Sequence, residues 1–227
     1  MAHHVLIGFG EALPAPEVFF SLHAAGYRVS AFARSARPSL AHLPLQALHV
    51  IPAPEEDAAA AVAALERVMR GPDAPDVVMP LDDTGLWLVN AAELDPARIA
   101  GATGTPAEIA LNKQRQIRAA QAAGLSVPPT VFFPEPSDVT EEAVAALPLP
   151  FIAKPCLAVE LHENGMRKGQ TVYETAQRDA QSLVEQITTS GPIMVQPLVT
   201  GMGQGVFGYA TATGVIGWSG HRRVRCG

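Results

Sequence analysis

Lys154 stands in Pro150-Phe151-Ile152-Ala153-Lys154-Pro155, a short apolar run that reads as a buried strand. A cation in such a run loses hydration unless a partner meets it. Two readings follow: a lysine snorkelling to water from a sheet edge, or a cation reaching for an anion such as phosphate. Lys113, in Leu111-Asn112-Lys113-Gln114-Arg115, opens a helix, and taken alone reads as a solvated charge. In Asn164-Gly165-Met166-Arg167-Lys168-Gly169-Gln170, glycines 165 and 169 fall between two strand signals beside two cations. Glycine lets backbone N–H groups come close to a phosphate; an ordinary flexible hairpin loop is the plainer alternative. Gln196-Pro197-Leu198 follows another apolar run. Pro197 donates no hydrogen bond and interrupts a ladder, so the backbone at 196–198 could read a purine edge or simply leave the strand. In His221-Arg222-Arg223-Val224-Arg225, alternation puts Arg223 and Arg225 on one face and Arg222 on the other. Guanidinium groups clamp phosphates and carboxylates, but charges of this kind also protect exposed sheet edges.

Other combinations carry less. Gly8-Phe9-Gly10-Glu11-Ala12-Leu13 has two glycines of a dinucleotide fingerprint, but leucine stands where the third belongs, and Pro14 and Pro16 disturb the following turn. Asp82-Asp83 reads as a loop cap or a substrate wall rather than a metal cage. The two cysteines, Cys156 and Cys226, have no metal-ligand spacing and read as reduced thiols. No residues are assigned to a metal.

The elements that must position these groups can be read from periodicity. The chain has 227 residues, 48% of them apolar and 17% charged, enough for one large or two small domains with a substantial core. Its formal net charge of −6 argues against a nucleic-acid partner. No leader pattern and no run of about 18 apolar residues is present, so a cytoplasmic location and no membrane partner are expected. Residues 4–8, 27–32, 47–51 and 76–80 read as strands. The first of these alternate with helices after Pro14 and over 55–70, which predicts a parallel, doubly wound sheet. A helix is expected over 112–123. Short strands are then expected at 131–133, 151–155, 171–173 and 193–198, separated by helices over 137–147 and 176–189. The sequence closes on two strands, 206–211 and 215–219, joined by Thr213-Gly214.

In order and spacing these passages resemble the ATP-grasp ligases. Gly124-Leu125-Ser126-Val127-Pro128-Pro129-Thr130, after the lysine-bearing helix, resembles their G-x-x-V-P-P-T passage. Residues 150–155 resemble their second-lysine strand. Gly201-Met202-Gly203-Gln204-Gly205-Val206-Phe207, Gly214 and His221-Arg222-Arg223 resemble the carbamoyl-phosphate-synthase-like branch. The resemblance implies an α/β fold: a Rossmann-like leading domain (1–110), a small ATP-grasp subdomain with its linking helix (111–200), and the start of a central subdomain (201–227). It also implies that Lys113 and Lys154 hold ATP phosphates under a loop containing Gly165 and Gly169. Gln196 and the backbone of Leu198 would bind adenine, and Arg223 and His221 would face the phosphates or an acyl phosphate. The implied activity is ATP- and Mg²⁺-dependent joining of a carboxylate to an amine. Relatives often have glutamate where Gln196 stands, and carry a ribose-binding acid near 202–204 that is missing here. Their Mg²⁺ ligands lie beyond the histidine–arginine strand, so this chain reads as truncated and catalytically impaired, with an open sheet edge that a homodimer could cover. Steady ADP release with an acid and an amine would overturn the expected impairment. The rival readings are a non-catalytic nucleotide-binding module and a Rossmann-type oxidoreductase using Gly8 and Gly10.

Overall fold

A computed structural model describes residues 2–163, 165–176 and 179–224. Residues Met1–Pro197 form one compact unit and Leu198–Gly227 a second.

The first unit begins with β1 (His4–Gly8), α1 (Ala15–Ala24), β2 (Arg28–Ala33), β3 (Leu48–Val50), α2 (Ala58–Arg70), β4 (Val77–Pro80) and α3 (Asp83–Ala91). The strands lie in the order β3-β2-β1-β4, and all pair in parallel. All five β1 residues are buried, as expected of a strand covered on both faces. On one face Leu6, Phe32 and Val78 pack with Leu65 and Met69 of α2 and Leu88 of α3. On the other, Val5, Ile7 and Ala31 pack with Phe19 of α1. Because the strand order reverses at β1, the ends of β1 and β4 flank a topological switch point. Gly8 is required there: a Cβ would stand 2.4 Å from the Phe32 ring.

The chain continues through α4 (Thr105–Ala110) and α5 (Lys113–Ala122) into a second sheet. It comprises β5 (Val131–Phe133), β6 (Phe151–Pro155), β9 (Val172–Glu174) and β10 (Ile193–Pro197), in the order β5-β10-β6-β9 and antiparallel throughout. Between β5 and β6 lies α6 (Glu141–Ala145). Between β6 and β9 stands a small hairpin, β7 (Glu160–His162) and β8 (Gly165–Arg167); α7 (Ala180–Ile187) precedes β10. Phe151, Ala153, Ile193 and Val195 face the helices and pack with Val144, Leu183 and Ile187. The second unit contains one antiparallel hairpin, β11 (Gln204–Thr211) and β12 (Gly214–Arg222).

Several element bounds differ from the sequence expectation. The helix expected from residue 55 starts at Ala58, because Asp57 accepts a hydrogen bond from the Ala60 N–H and caps it. The helix expected over 137–147 is a single 3-10 turn, Pro136–Asp138, and the five-residue α6, each with its own cap. The helix expected from residue 176 starts at Ala180, capped by Asp179, and the strand expected at 171–173 runs Val172–Glu174. Helices α3 and α4 have no counterpart among the sequence expectations; α3 follows Asp82, which caps it by accepting from the Gly85 N–H.

Candidate functional site

The outward face of the second sheet carries the polar groups. Antiparallel register places Lys154 opposite Met194 and Ile152 opposite Gln196. Since side chains alternate and paired residues share a face, Lys154 and Gln196 project from the same side. That side is opposite to the one bearing Ala153 and Val195, which is covered by helices. A buried strand can therefore hold a lysine without burying it in the core, and Lys154 is half-buried.

Lys113 reaches the same place by a different route. Its backbone N–H donates to the Cys156 carbonyl (2.8 Å), and the Ala158 N–H donates to the Leu111 carbonyl (2.9 Å). Asn112 bridges to Leu157 and caps α5 by accepting from the N–H groups of Gln114 and Arg115. These bonds stitch the first turn of α5 onto the chain leaving β6. Burial, with the nearby Lys113 charge, holds Lys154 below the usual lysine range. Burial also pushes the Cys156 thiol up to about 11, against the pull of Lys113, so that thiol stays protonated and inert at neutral pH. Among the described residues neither lysine has a carboxylate at ion-pair distance. Two neighbouring cations, one partly desolvated and neither neutralised, favour a bound polyanion.

Gln196 is buried, and its Nε2 donates to Thr130 Oγ1 (2.9 Å), whose own hydroxyl donates to the Pro128 carbonyl. This chain fixes the amide and leaves its Oε1 without a donor among the described residues. Leu198 is the first residue of the second unit.

The two glycines are placed differently from the expected mobile cover. Gly165 lies within β8, where a Cβ would stand 2.3 Å from the Glu55 carbonyl oxygen, and the neighbouring Met166 N–H donates to the Pro54 carbonyl. It lets the small hairpin dock on the leading part of the unit. Gly169 passes against Pro155 and the Ile187 carbonyl, at 2.9 Å from each for a Cβ. It closes the chain over the end of the Lys154 strand. Asn164 and Arg225 fall outside the described residues, as does Cys226.

Arg223 and His221 belong to the second unit. The His221 ring stacks on Phe207 (4.6 Å between centroids), and the Arg223 N–H donates to the Gly203 carbonyl. β12 ends at Arg222, so the alternation expected through residue 225 stops short.

Two further polar clusters appear only in the folded chain. At the switch point, Arg34 makes two hydrogen bonds to Glu55 (3.0 and 2.7 Å) and lies 3.7 Å over the Phe9 ring, while Glu11 accepts from the Arg34 and Ser35 N–H groups. Glu55 is held below the usual carboxylate range by Arg34 and, more weakly, Lys168, which outweigh burial. Buried Glu160 gathers the turn before β10, accepting from Thr189 Oγ1 and from the N–H and hydroxyl of Ser190. The signals, lone charges scattered through the sequence, have no period to reveal them.

Among the described residues no three His, Cys, Asp or Glu side chains converge as a metal ion would need. The described residues therefore do not fit a Mg²⁺ site. Asp82, already a helix cap, supplies none. No described helix is long and apolar enough to cross a membrane.

No protein-family model and no curated protein matches the sequence. Solved structures do. The chain is similar to L-amino acid ligase from Bacillus licheniformis, with a TM-score of 0.65 at 19% identity over 98% of this chain and 49% of that one. It is similar to N5-carboxyaminoimidazole synthetase from Staphylococcus aureus (TM-score 0.60, 18% identity, 94% of this chain and 52% of that one). The carboxyaminoimidazole ribonucleotide synthase from Aspergillus clavatus, solved with ATP, aligns with a TM-score of 0.60 at 15% identity, over 95% and 52% of the two chains. The chain thus spans about half the length of these structures. At these identities the likeness concerns architecture, and by architecture this chain has the fold of the ATP-grasp ligases.

Proposed function

We propose that this chain holds the nucleotide-phosphate site of an ATP-dependent ligase, one that activates a carboxylate as an acyl phosphate for attack by an amine. The observation that carries the reading is the meeting of Lys113 and Lys154. They lie on separate elements, joined by the Lys113–Cys156 backbone bond, with no carboxylate paired to either among the described residues. In this reading both ammonium groups contact ATP phosphates, and Gln196 Oε1 accepts from the adenine amino group. Gly169 is assigned to the wall beside the phosphates. Cations preorganised in a partly dry site stabilise charge spreading over a phosphoryl group in flight. The likeness to an L-amino acid ligase supports the reaction class, and the ATP-bound neighbour supports the nucleotide.

Hydrogen exchange tests the assignment. ATP is expected to slow amide exchange in Phe151–Pro155 and in the first turn of α5. AMP, without the outer phosphates, is expected to leave both unchanged. Protection by ATP confined to the leading sheet would contradict the reading. For the acyl-phosphate step, hydroxylamine offered in place of the amine should yield one hydroxamate per ADP formed; acid-independent ADP formation would contradict it.

A further inference from the structure

A second cavity, away from the two lysines, has no role in the reading above. It is an open cleft of about 640 Å³ between α2, α3 and the β7–β8 hairpin, within the size range of small-molecule sites. Its floor is one face of α2: Ala59, Val62 and Ala63 recur at the i, i+3, i+4 spacing that stacks side chains on a helix surface. Trp87 of α3 forms one wall and Leu161 of β7 another. The walls are fixed to each other, because Met166 and Val159 pack on Ala58 and Trp87 and the Met166 N–H donates to Pro54. Leu161 is 62% exposed, an apolar side chain that the other described residues leave largely uncovered.

The rim has one sign. Every ionisable residue lining this cavity is a carboxylate: Asp57, Glu66 and Glu163. Glu66 is shared with Arg70 (3.3 Å), and Asp57 is occupied as the α2 cap. Glu163 has neither duty among the described residues. An apolar floor, an indole wall and a net negative rim together select a ligand with a small apolar body and an ammonium head. The body would bury against Ala63 and Leu161. The head would gain from the carboxylates and from the indole face. A phosphate or a carboxylic acid would be repelled.

We propose that this cavity binds a small apolar primary amine in its ammonium form. The proposal is independent of the nucleotide site, and either can fail alone. Trp87 supplies the readout, since the only other tryptophan is Trp218, which is 78% exposed in the second unit and replaceable. In a Trp218→Phe background, 2-phenylethylamine at pH 7 is titrated against Trp87 emission, beside 2-phenylethanol and 3-phenylpropionate. The expected result is a saturable change with the amine. The alcohol, lacking the charge, should bind about threefold or more weakly, and the acid weaker still. Ala63→Phe should abolish the change by filling the floor. Glu163→Gln, which leaves every packing contact in place, should weaken the amine about threefold while leaving the alcohol unchanged. No saturable change, or equal affinity for amine, alcohol and acid, would overturn the proposal. So would an amine affinity untouched by Glu163→Gln.

Discussion

Lys154 is where sequence and structure meet most closely. A lysine in an apolar strand demands an explanation, and sheet alternation supplies one: the strand's inner face is Phe151, Ala153 and Pro155, and Lys154 turns the other way. That Lys113 becomes its neighbour was implied by the family resemblance and not by periodicity, because the joining bonds are backbone groups that any residue could supply. The depressed pKa follows from burial first and Lys113 second. Lysine is charged below its pKa, so polyphosphate affinity should fall as pH rises through a value below 10.5, the lysine reference. Removing Lys113 removes one cause of the depression, so in Lys113→Ala the fall should move to higher pH although overall affinity drops. A titration of affinity between pH 7 and 10.5 checks this; an unmoved midpoint would mean that the two ammonium groups do not sense each other. Gln196 teaches a related lesson. Its place at the end of β10 was legible, but its hold on Thr130 joins residues far apart in sequence and appears only in the folded chain.

At the scale of elements, caps decided what periodicity could not. The α2, α3 and α7 starts are each fixed by an aspartate that accepts from a backbone N–H three residues on. Reading Asp57, Asp82 and Asp179 as caps would have corrected the helix bounds. The stretch after residue 133 resisted reading for a physical reason: a 3-10 turn and a five-residue helix are too short to show a period. The cap with the most direct bearing on the site is Asn112. Asn112→Ala leaves the N–H groups of Gln114 and Arg115 without their acceptor, a loss of about 1 kcal/mol of stability. Because the same turn carries Lys113, ATP affinity should fall by severalfold with Lys154 intact. Denaturant unfolding and nucleotide titration of this variant measure the two effects, and a loss of stability with unchanged affinity would detach the cap from the site.

At the scale of the molecule, the parallel leading sheet was legible from alternating strands and helices, because its strands are short, largely apolar runs separated by helical stretches. The second unit is a different kind of object. Val206, Phe207, Tyr209, Val215, Ile216 and Trp218 of its hairpin are each more than 60% exposed. A lone two-stranded hairpin is marginally stable in water. Amide exchange followed by mass spectrometry should therefore show β11 and β12 exchanging fast, and β1, β6 and β10 protected close to the limit of global unfolding. Equal protection in all five strands would show that the hairpin gains stability from a partner. The likeness to ligases twice this length gives the architecture of the chain, while the chemistry rests on a few side chains that the architecture brings together.

The central claim, that Lys113 and Lys154 form one phosphate site, is tested most directly by calorimetric titration of ATP with magnesium into the chain and into Lys154→Ala. The account predicts micromolar binding to the unaltered chain and a loss of at least about tenfold in the variant, the scale of one charge-assisted contact. No binding to the unaltered chain, or equal binding to both, would contradict it.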